Sequence, residues 1–295
     1  MAEAPAPVAP PAPPLRPPRL RVGWVFLLLA LAIGLPALLL VGGPHGVPMH
    51  WPGVDEAFTT IQALAPDALV VVDWAYDPAT ADEINLAMRP VMEHLLQQRV
   101  RLAVVSTLPG GPATARRLIA QARSGAARPG ALALAAETSW PVTYSYLPGG
   151  AAVLALAARD PAAALLEDPA RLVEATRHAV ARAPSLVVVA AAQAEDAQAW
   201  LEQVQPLNRT PVVAVVGAGA DPILRPYLDS GQLRGLVSGF DGGYSYQQLL
   251  EPFTAHTSPA WLGSQVVLQN WGHLALLAIL VLGNLAALLG RGGSE

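Results

Sequence analysis

The chain has 295 residues, a length that suits one or two domains. Hydrophobic residues make up 53% of it and charged residues only 14%, against about 25% charged residues in an average soluble domain. This mixture excludes a disordered or fibrous protein and indicates membrane segments. There is no Cys and all 18 basic residues are Arg, which excludes disulfides, thiolate metal sites and any catalytic or phosphate-binding lysine. A net charge of −4 argues against nucleic acid as a partner.

The amino-terminal sequence predicts a tail followed by a membrane span. Residues 1–21 are rich in Pro and Ala and are predicted to be a disordered or polyproline arm. Residues 22–41 contain no charged residue, and about 20 residues suffice to cross a bilayer as a helix. A cleaved signal peptide is the alternative. The apolar run is longer than a usual signal sequence and lacks a good cleavage site, so we favour an uncleaved signal-anchor.

The carboxyl-terminal part repeats this pattern. Residues 271–290 form a second uncharged candidate span, and 291–295 are a short stub that begins with arginine. Inside the span, His273 is expected at the interface, and Asn284 either bonds a neighbouring helix or reaches towards the headgroups. Arginines flank both spans on the same side, so the positive-inside rule predicts a two-pass protein with both termini in the cytoplasm. Residues 42–270 are then extracytoplasmic, and the lipid bilayer is a predicted partner, beside possible further membrane-protein subunits or a small-molecule ligand.

Six short apolar runs punctuate the region between the spans. They are ALVVV at 68–72, LAVV at 102–105, ALALAA at 131–136, LVVVAAA at 186–192, VVAVV at 212–216 and GLVSGF at 235–240. Unbroken runs of this kind are typical of strands buried on both faces, although the alanine-rich run also suits a helix. Apolar residues at helical spacing predict helices at 79–98, 112–123, 169–182 and 195–205. The sequence therefore predicts an α/β domain with an open, mostly parallel sheet, Rossmann-like or flavodoxin-like, between two transmembrane helices.

Glycine-rich turns supply most of the candidate site. The string S-T-L-P-G-G at 106–111 recurs as S-Y-L-P-G-G at 145–150, and G-A-G-A-D at 217–221 and G-F-D-G-G at 239–243 have comparable positions. Glycine lets a backbone approach a ligand closely, and free amides at helix starts favour anions. Ordinary turn chemistry is the alternative, and none of these turns matches G-x-G-x-x-G. The candidate ligand-binding residues in these turns are Ser106, Gly110, Gly111, Ser145, Gly149, Gly150, Gly217 and Gly219.

Two acidic residues complete the candidate site. Asp73 closes the first predicted strand, where a carboxylate can serve a metal or phosphoryl site or be purely structural. Asp241 lies in the last glycine-rich turn and is either a ligand contact or a turn residue. Asp77 and Asp221 each precede a proline and are predicted to be helix N-caps. Catalytic triads and metal sites are not indicated, and the sequence leaves any cofactor unknown.

Two stretches, Y-L-P-G-G-A-A at 146–152 and the segment 217–243, carry a resemblance. In them the chain resembles a group of uncharacterised bacterial membrane proteins that have an N-terminal span, an α/β domain and a C-terminal span. The resemblance implies the same architecture, a bacterial cell membrane as location, and a shared surface near 147–150 and 221–243. It implies no activity.

Three functions follow from these observations. The first is a ligand-binding or assembly module without catalytic residues, taking a small molecule or other membrane-protein subunits as partners. The second is a metal-dependent hydrolase that uses Asp73 or Asp77. The third is a subunit of a larger membrane complex, in which the spans carry the function and the domain is a scaffold.

Overall fold

The structure is a computed structural model that describes residues 51–126, 142–150, 184–253 and 260–291, together with residues 26, 27, 29–32, 34 and 154. The chain divides into two compact units. One is Gly46–Val266, and the other combines Met1–His45 with Val267–Glu295.

The first unit is built on a six-stranded sheet in which every strand pair is parallel. The strands are β1 Leu69–Ala75, β2 Arg101–Ser106, β3 Val142–Tyr146, β4 Leu186–Ala191, β5 Val212–Val216 and β6 Leu233–Ser238. Their order across the sheet is β3-β2-β1-β4-β5-β6. This is the Rossmann order, in which the connections change direction between β1 and β4. The predicted α/β class and parallel sheet are confirmed, in the Rossmann-like form.

The strands form where the sequence has runs of Val, Leu and Ala. All residues of β1, β4 and β5 are buried, which explains why these runs are continuous rather than alternating. The strand β3 was not among the predicted runs because its sequence, VTYSY, alternates and its residues stay partly exposed at the sheet edge. The predicted segments 131–136 and 169–182 lie outside the described residues.

Helices cover both faces of the sheet. They are α1 Val54–Gln62, α2 Ala81–Gln97, α3 Gly111–Ala126, α4 Ala194–Ala199, α5 Gln205–Asn208, α6 Asp221–Asp229 and α7 Gly239–Leu250. A π-helical turn, Trp200–Val204, joins α4 to α5. One apolar core forms between the sheet and α1, α2, α3 and α7, and a second forms on the opposite face against α4, the π-helical turn and α6.

Two glycines allow close packing on the first face. A Cβ on Gly235 of β6 would lie 2.5 Å from the Cβ of Ala57 on α1. A Cβ on Gly243 of α7 would lie 2.7 Å from the Cα of Ala87 on α2. Both positions therefore require glycine, because real Cβ atoms do not approach other carbons this closely.

The long helix α8, Ala260–Arg291, begins in the first unit and belongs to the second from Val267 onward; its side chains are described for 269–284. Seven large apolar side chains along it are exposed: Trp271, Leu274, Leu276, Leu277, Leu280, Val281 and Leu282. The amide of Asn284 donates a hydrogen bond to the carbonyl of Leu280 in the same helix, at 2.8 Å.

Both predicted spans fall in this second unit. Of the predicted span 22–41, only residues 26, 27, 29–32 and 34 are described, and they are helical. Over the residues that the structure describes, no helix is both long enough and apolar enough to cross a membrane. The spans at 22–41 and 271–290 therefore stay predictions, while the tail at 1–21 and the stub after Arg291 lie outside the described residues.

Candidate switch-point site

In the turn after β2, Ser106 and Gly111 make contacts within the protein. The hydroxyl of Ser106 is buried, donates to the carbonyl of Trp74 at 2.6 Å and accepts from the backbone N–H of Leu108 at 3.1 Å. A Cβ on Gly111 would overlap the Ser106 side chain and lie 2.9 Å from the Trp74 oxygen. Ser106 and Gly111 thus hold β1, β2 and the start of α3 together, while Pro109 and Gly110 are exposed.

The second Leu-Pro-Gly-Gly turn lies beside the first. The N–H of Leu147 donates to the carbonyl of Ser106 at 2.8 Å, so the turns that follow β2 and β3 are neighbours at one edge of the sheet. The pairing is offset by one residue, since Ser145 lies opposite Val105 rather than opposite Ser106. Gly149 and Gly150 are exposed and have positive φ angles of 124° and 59°, which glycine adopts most easily.

The turn with Gly217 and Gly219 is already occupied by a side chain of the protein. Glu83, in the first turn of α2, accepts a hydrogen bond from the N–H of Ala218 at 2.9 Å. A Cβ on Gly217 would lie 3.2 Å from the same carboxylate, so glycine here makes room for Glu83. Since an internal carboxylate takes this amide, the turn does not offer it to an anionic ligand.

Asp241 and Asp77 have positions in the structure that differ from those predicted. Asp241 is in the first turn of α7 rather than in a loop, because the segment 239–243 is already helical. Asp77 does not cap a helix; it accepts from the N–H of Ala79 at 2.9 Å in a turn ahead of α2, whose N-cap is Thr80.

Asp221 is the first residue of α6 and forms a polar cluster with residues beyond its own turn. Arg225 donates to its two carboxylate oxygens at 2.6 and 2.8 Å, and the Ser238 hydroxyl donates to it as well. Burial alone would raise the pKa of Asp221, but these hydrogen bonds and the charge of Arg225 lower it. Arg225 also donates to the carbonyl of Pro52 at 2.7 Å, which fixes the start of α1 to α6. Asp221 is therefore a structural residue at the ends of β5 and β6.

Asp73 lies at the point where the connections of the sheet change direction. It is two residues before the end of β1, is 1% exposed, and pairs in register with Val105 of β2 and Val189 of β4. The indole N–H of Trp200 donates to its Oδ2 at 2.6 Å. Its Oδ1 has no hydrogen-bond partner within the described part of the chain. A buried carboxylate oxygen without a partner is uncommon in folded proteins. Side-chain atoms of Trp51, Trp74 and Thr210 are also buried without a partner in the described part of the chain.

A second acid accompanies Asp73. Asp196, in α4, is half-buried and lies one helical turn before Trp200. Burial raises the pKa of Asp73 from 3.8 to about 7, against the lowering effect of the Trp200 hydrogen bond, and the charge of Asp196 raises it further. Burial likewise raises the pKa of Asp196 from 3.8 to about 6, with a contribution from Glu195. Two carboxyls that hold protons near neutral pH are typical of functional sites, although structural networks also produce them.

Asp73 is a candidate from the sequence, whereas its neighbours Trp200 and Asp196 are not. Trp200 is 127 residues away and lies in a segment predicted only as helix. Its backbone begins the π-helical turn Trp200–Val204, a rare geometry that is frequent at functional sites. No local pattern in the sequence signals such a turn, so the association of Asp73, Trp200 and Asp196 emerges only from the fold.

A second polar group, also missed, lies on the opposite face. His94 of α2 is buried between Tyr246 of α7, 2.8 Å from its Nδ1, and Gln62 of α1, 3.0 Å from its Nε2. Its ring stacks on Phe58 at 4.6 Å between centroids. Burial lowers the pKa of His94 from 6.5 to about 4 and raises that of Tyr246 well above 10. A neutral His94 that accepts from the Tyr246 hydroxyl and donates to Gln62 satisfies both contacts and joins three helices.

Within the described ranges, no group of three or more His, Cys, Asp or Glu side chains could hold a metal ion. In comparisons with known proteins, the chain matches no protein-family model, no curated protein and no solved structure. The functional argument therefore depends on the geometry of this chain alone.

Proposed function

We propose that the protein is a membrane-anchored binding or assembly module that receives a ligand or partner at the junction of β1 and β4. The observation that carries this proposal is the buried Oδ1 of Asp73, which has no hydrogen-bond partner among the described residues at the switch point of a Rossmann-order sheet. In open α/β sheets, ligands bind in the crevice outside the carboxyl ends of the strands at this point.

The distribution of polar contacts along the sheet edge supports this location. Near the ends of β5 and β6, the acids already have partners. Glu83 accepts from the Ala218 N–H, and Asp221 accepts from Arg225 and Ser238. At the ends of β2 and β3, the two Leu-Pro-Gly-Gly turns leave Gly110, Gly149 and Gly150 exposed. A ligand at β1 and β4 would therefore be bordered on one side by glycine turns that a backbone or side chain can approach closely.

The membrane part of the proposal places 22–41 and 271–290 in the bilayer, both termini in the cytoplasm and the α/β domain outside. The exposed leucines of α8 support it, and so does the lack of any charged residue in 271–290.

The absence of cysteine allows a direct test of this topology. A Gly219→Cys variant places the only thiol on an exposed turn of the α/β unit, and a Ser294→Cys variant places it after the second predicted span. In intact spheroplasts, a membrane-impermeant maleimide should label the first variant and should label the second only after lysis. Labelling of Ser294→Cys in intact spheroplasts would overturn the proposed topology.

Native mass spectrometry of the full chain, extracted from its own membrane in a mild detergent, tests the binding role. A small-molecule adduct that is lost in an Asp73→Asn variant supports a ligand-binding module. Co-purifying subunits support an assembly module. A bare monomer, without adduct or partner in repeated extractions, would contradict the proposal.

A further inference from the structure

The two acids at the switch point are linked through Trp200, which bonds Asp73 and comes one helical turn after Asp196. Asp73 is two residues before the end of β1, and Asp196 is in α4, which begins three residues after β4 ends. Asp73 is buried and Asp196 is half-buried. The indole N–H of Trp200 donates to Oδ2 of Asp73 and leaves Oδ1 without a partner among the described residues.

These two carboxyls lack the partners that buried acids normally have. Trp200 is the one described hydrogen-bond partner of Asp73, and in the described ranges neither acid forms an ion pair. The nearby charges that act on them are negative: Asp196 raises the pKa of Asp73, and Glu195 raises the pKa of Asp196. Buried carboxylates are usually paired with a cation or with several donors. A group that carries both positive charge and N–H donors would supply the partners that the two ionised acids lack.

The same edge is unfavourable for phosphate, the group that glycine-rich turns bind in many Rossmann-order proteins. The approach to α2 from β1 carries Asp77, Asp82 and Glu83, and negative charge there repels an anion at the helix start. The Ala218 amide, in the glycine turn after β5, is taken by Glu83. The charge pattern of this edge thus selects for cations rather than anions.

We infer that Asp73 and Asp196 bind the cationic amine group of a ligand, with one N–H donated to the free Oδ1 of Asp73 and another to the carboxylate of Asp196. This inference rests on the proposed binding function and names the class of ligand that the site takes. Amine binding needs the ionised form of both acids, so it competes with protons. Because burial raises the pKa of Asp73 to about 7, the apparent affinity should fall towards about tenfold for each pH unit below 7.

The test uses the full chain in a non-ionic detergent and spermidine as the probe amine, measured by isothermal titration calorimetry at pH 8. Saturable binding is expected for the unmodified chain, with at least a tenfold loss of affinity in Asp73→Asn and in Asp196→Asn. The matched control is Asp229→Asn, which removes an exposed acid at the end of α6 and should bind as tightly as the unmodified chain. A neutral triol of similar length should not bind.

Each contrary outcome overturns the inference. Equal affinity in Asp73→Asn and the unmodified chain, or an equal loss in Asp229→Asn, would show only general attraction to acidic surface. Absence of spermidine binding would also overturn it. An affinity that does not change between pH 8 and pH 6 would rule out ionised Asp73 as the contact. If native mass spectrometry finds a neutral or anionic adduct while spermidine does not bind, the amine inference fails and the proposed binding function stands.

Discussion

The stability of an Asp73→Asn variant, measured relative to the unmodified chain, should be higher at pH 8 than at pH 5. In the unfolded chain an aspartate is ionised above its ordinary pKa of 3.8, whereas burial raises the pKa of Asp73 in the folded chain to about 7. Between these two values the folded state holds a proton that the unfolded state has lost. Stability therefore falls as the pH rises from 3.8 to 7, and this loss should be absent from the asparagine variant.

The size of the effect follows from the difference of about 3 pH units between the two states. At about 1.4 kcal/mol per unit, the full loss is about 4 kcal/mol, of which about 2–3 kcal/mol falls between pH 5 and pH 8. The asparagine amide adds a buried N–H₂ group whose cost does not depend on pH. The decisive quantity is therefore the change in the stability difference between variant and unmodified chain from pH 5 to pH 8, in which this cost cancels.

Urea unfolding of the full chain in a non-ionic detergent, followed by tryptophan fluorescence at both pH values, measures this quantity. The Asp229→Asn variant serves as the control, because removal of an exposed surface acid changes stability by only about 0.5 kcal/mol or less. A stability difference between Asp73→Asn and the unmodified chain that is the same at pH 5 and pH 8 would refute the reasoning. It would mean that Asp73 is not held in a desolvated site.

Three further predictions concern packing and the histidine group. Gly235→Ala should destabilise the α/β unit by about 3 kcal/mol, because its Cβ would lie 2.5 Å from that of Ala57. Gly219→Ala, which meets no atom within 4 Å, should leave the urea midpoint nearly unchanged, and equal midpoints for the two variants would contradict the packing. Tyr246→Phe should cost about 1–3 kcal/mol at pH 7 by leaving the buried Nδ1 of His94 without a donor; unfolding like that of the unmodified chain would argue against this bond. Since burial lowers the pKa of His94 from 6.5 to about 4, stability should fall by about 3 kcal/mol as the pH drops through that window. His94→Gln should flatten this acid-side loss in the same titration, and an unchanged slope would assign the loss to other groups.

The central strands could be predicted from the sequence because burial on both faces leaves a local signal. Runs such as VVAVV at 212–216 match β5 residue for residue. The edge strand β3 lacks that signal because it is partly exposed and alternates.

Helix α7 shows the opposite case, in which local signals favour a turn. Its first five residues include three glycines, which weaken a helix in isolation. Here tertiary contacts prevail. Gly243 lets α7 approach Ala87 on α2, and Tyr246 bonds His94. Such compensation between residues about 150 positions apart cannot be read from a single sequence.

The candidate site was predictable in its position and not in its composition. A carboxylate near the end of a strand marked Asp73, and parallel topology marked the edge. The glycine turns drew attention for a different reason, since Gly111 accommodates the Ser106 hydroxyl and Gly217 accommodates Glu83. Glycine is needed at Gly111 and Gly217 because of these contacts within the protein.

These contacts divide the carboxyl edge of the sheet into two parts with different functional prospects. Around β5 and β6, the acids Glu83 and Asp221 are matched by backbone N–H groups, Arg225 and Ser238, so the polar groups there already have partners. At β1 and β4, Asp73 keeps an oxygen without a partner among the described residues, and it costs stability above pH 4. Buried polar atoms without partners are costly, and sites where a fold accepts such a cost are frequently functional. The first substitutions should therefore be made at Asp73 and Asp196, ahead of the glycine turns that dominate the sequence.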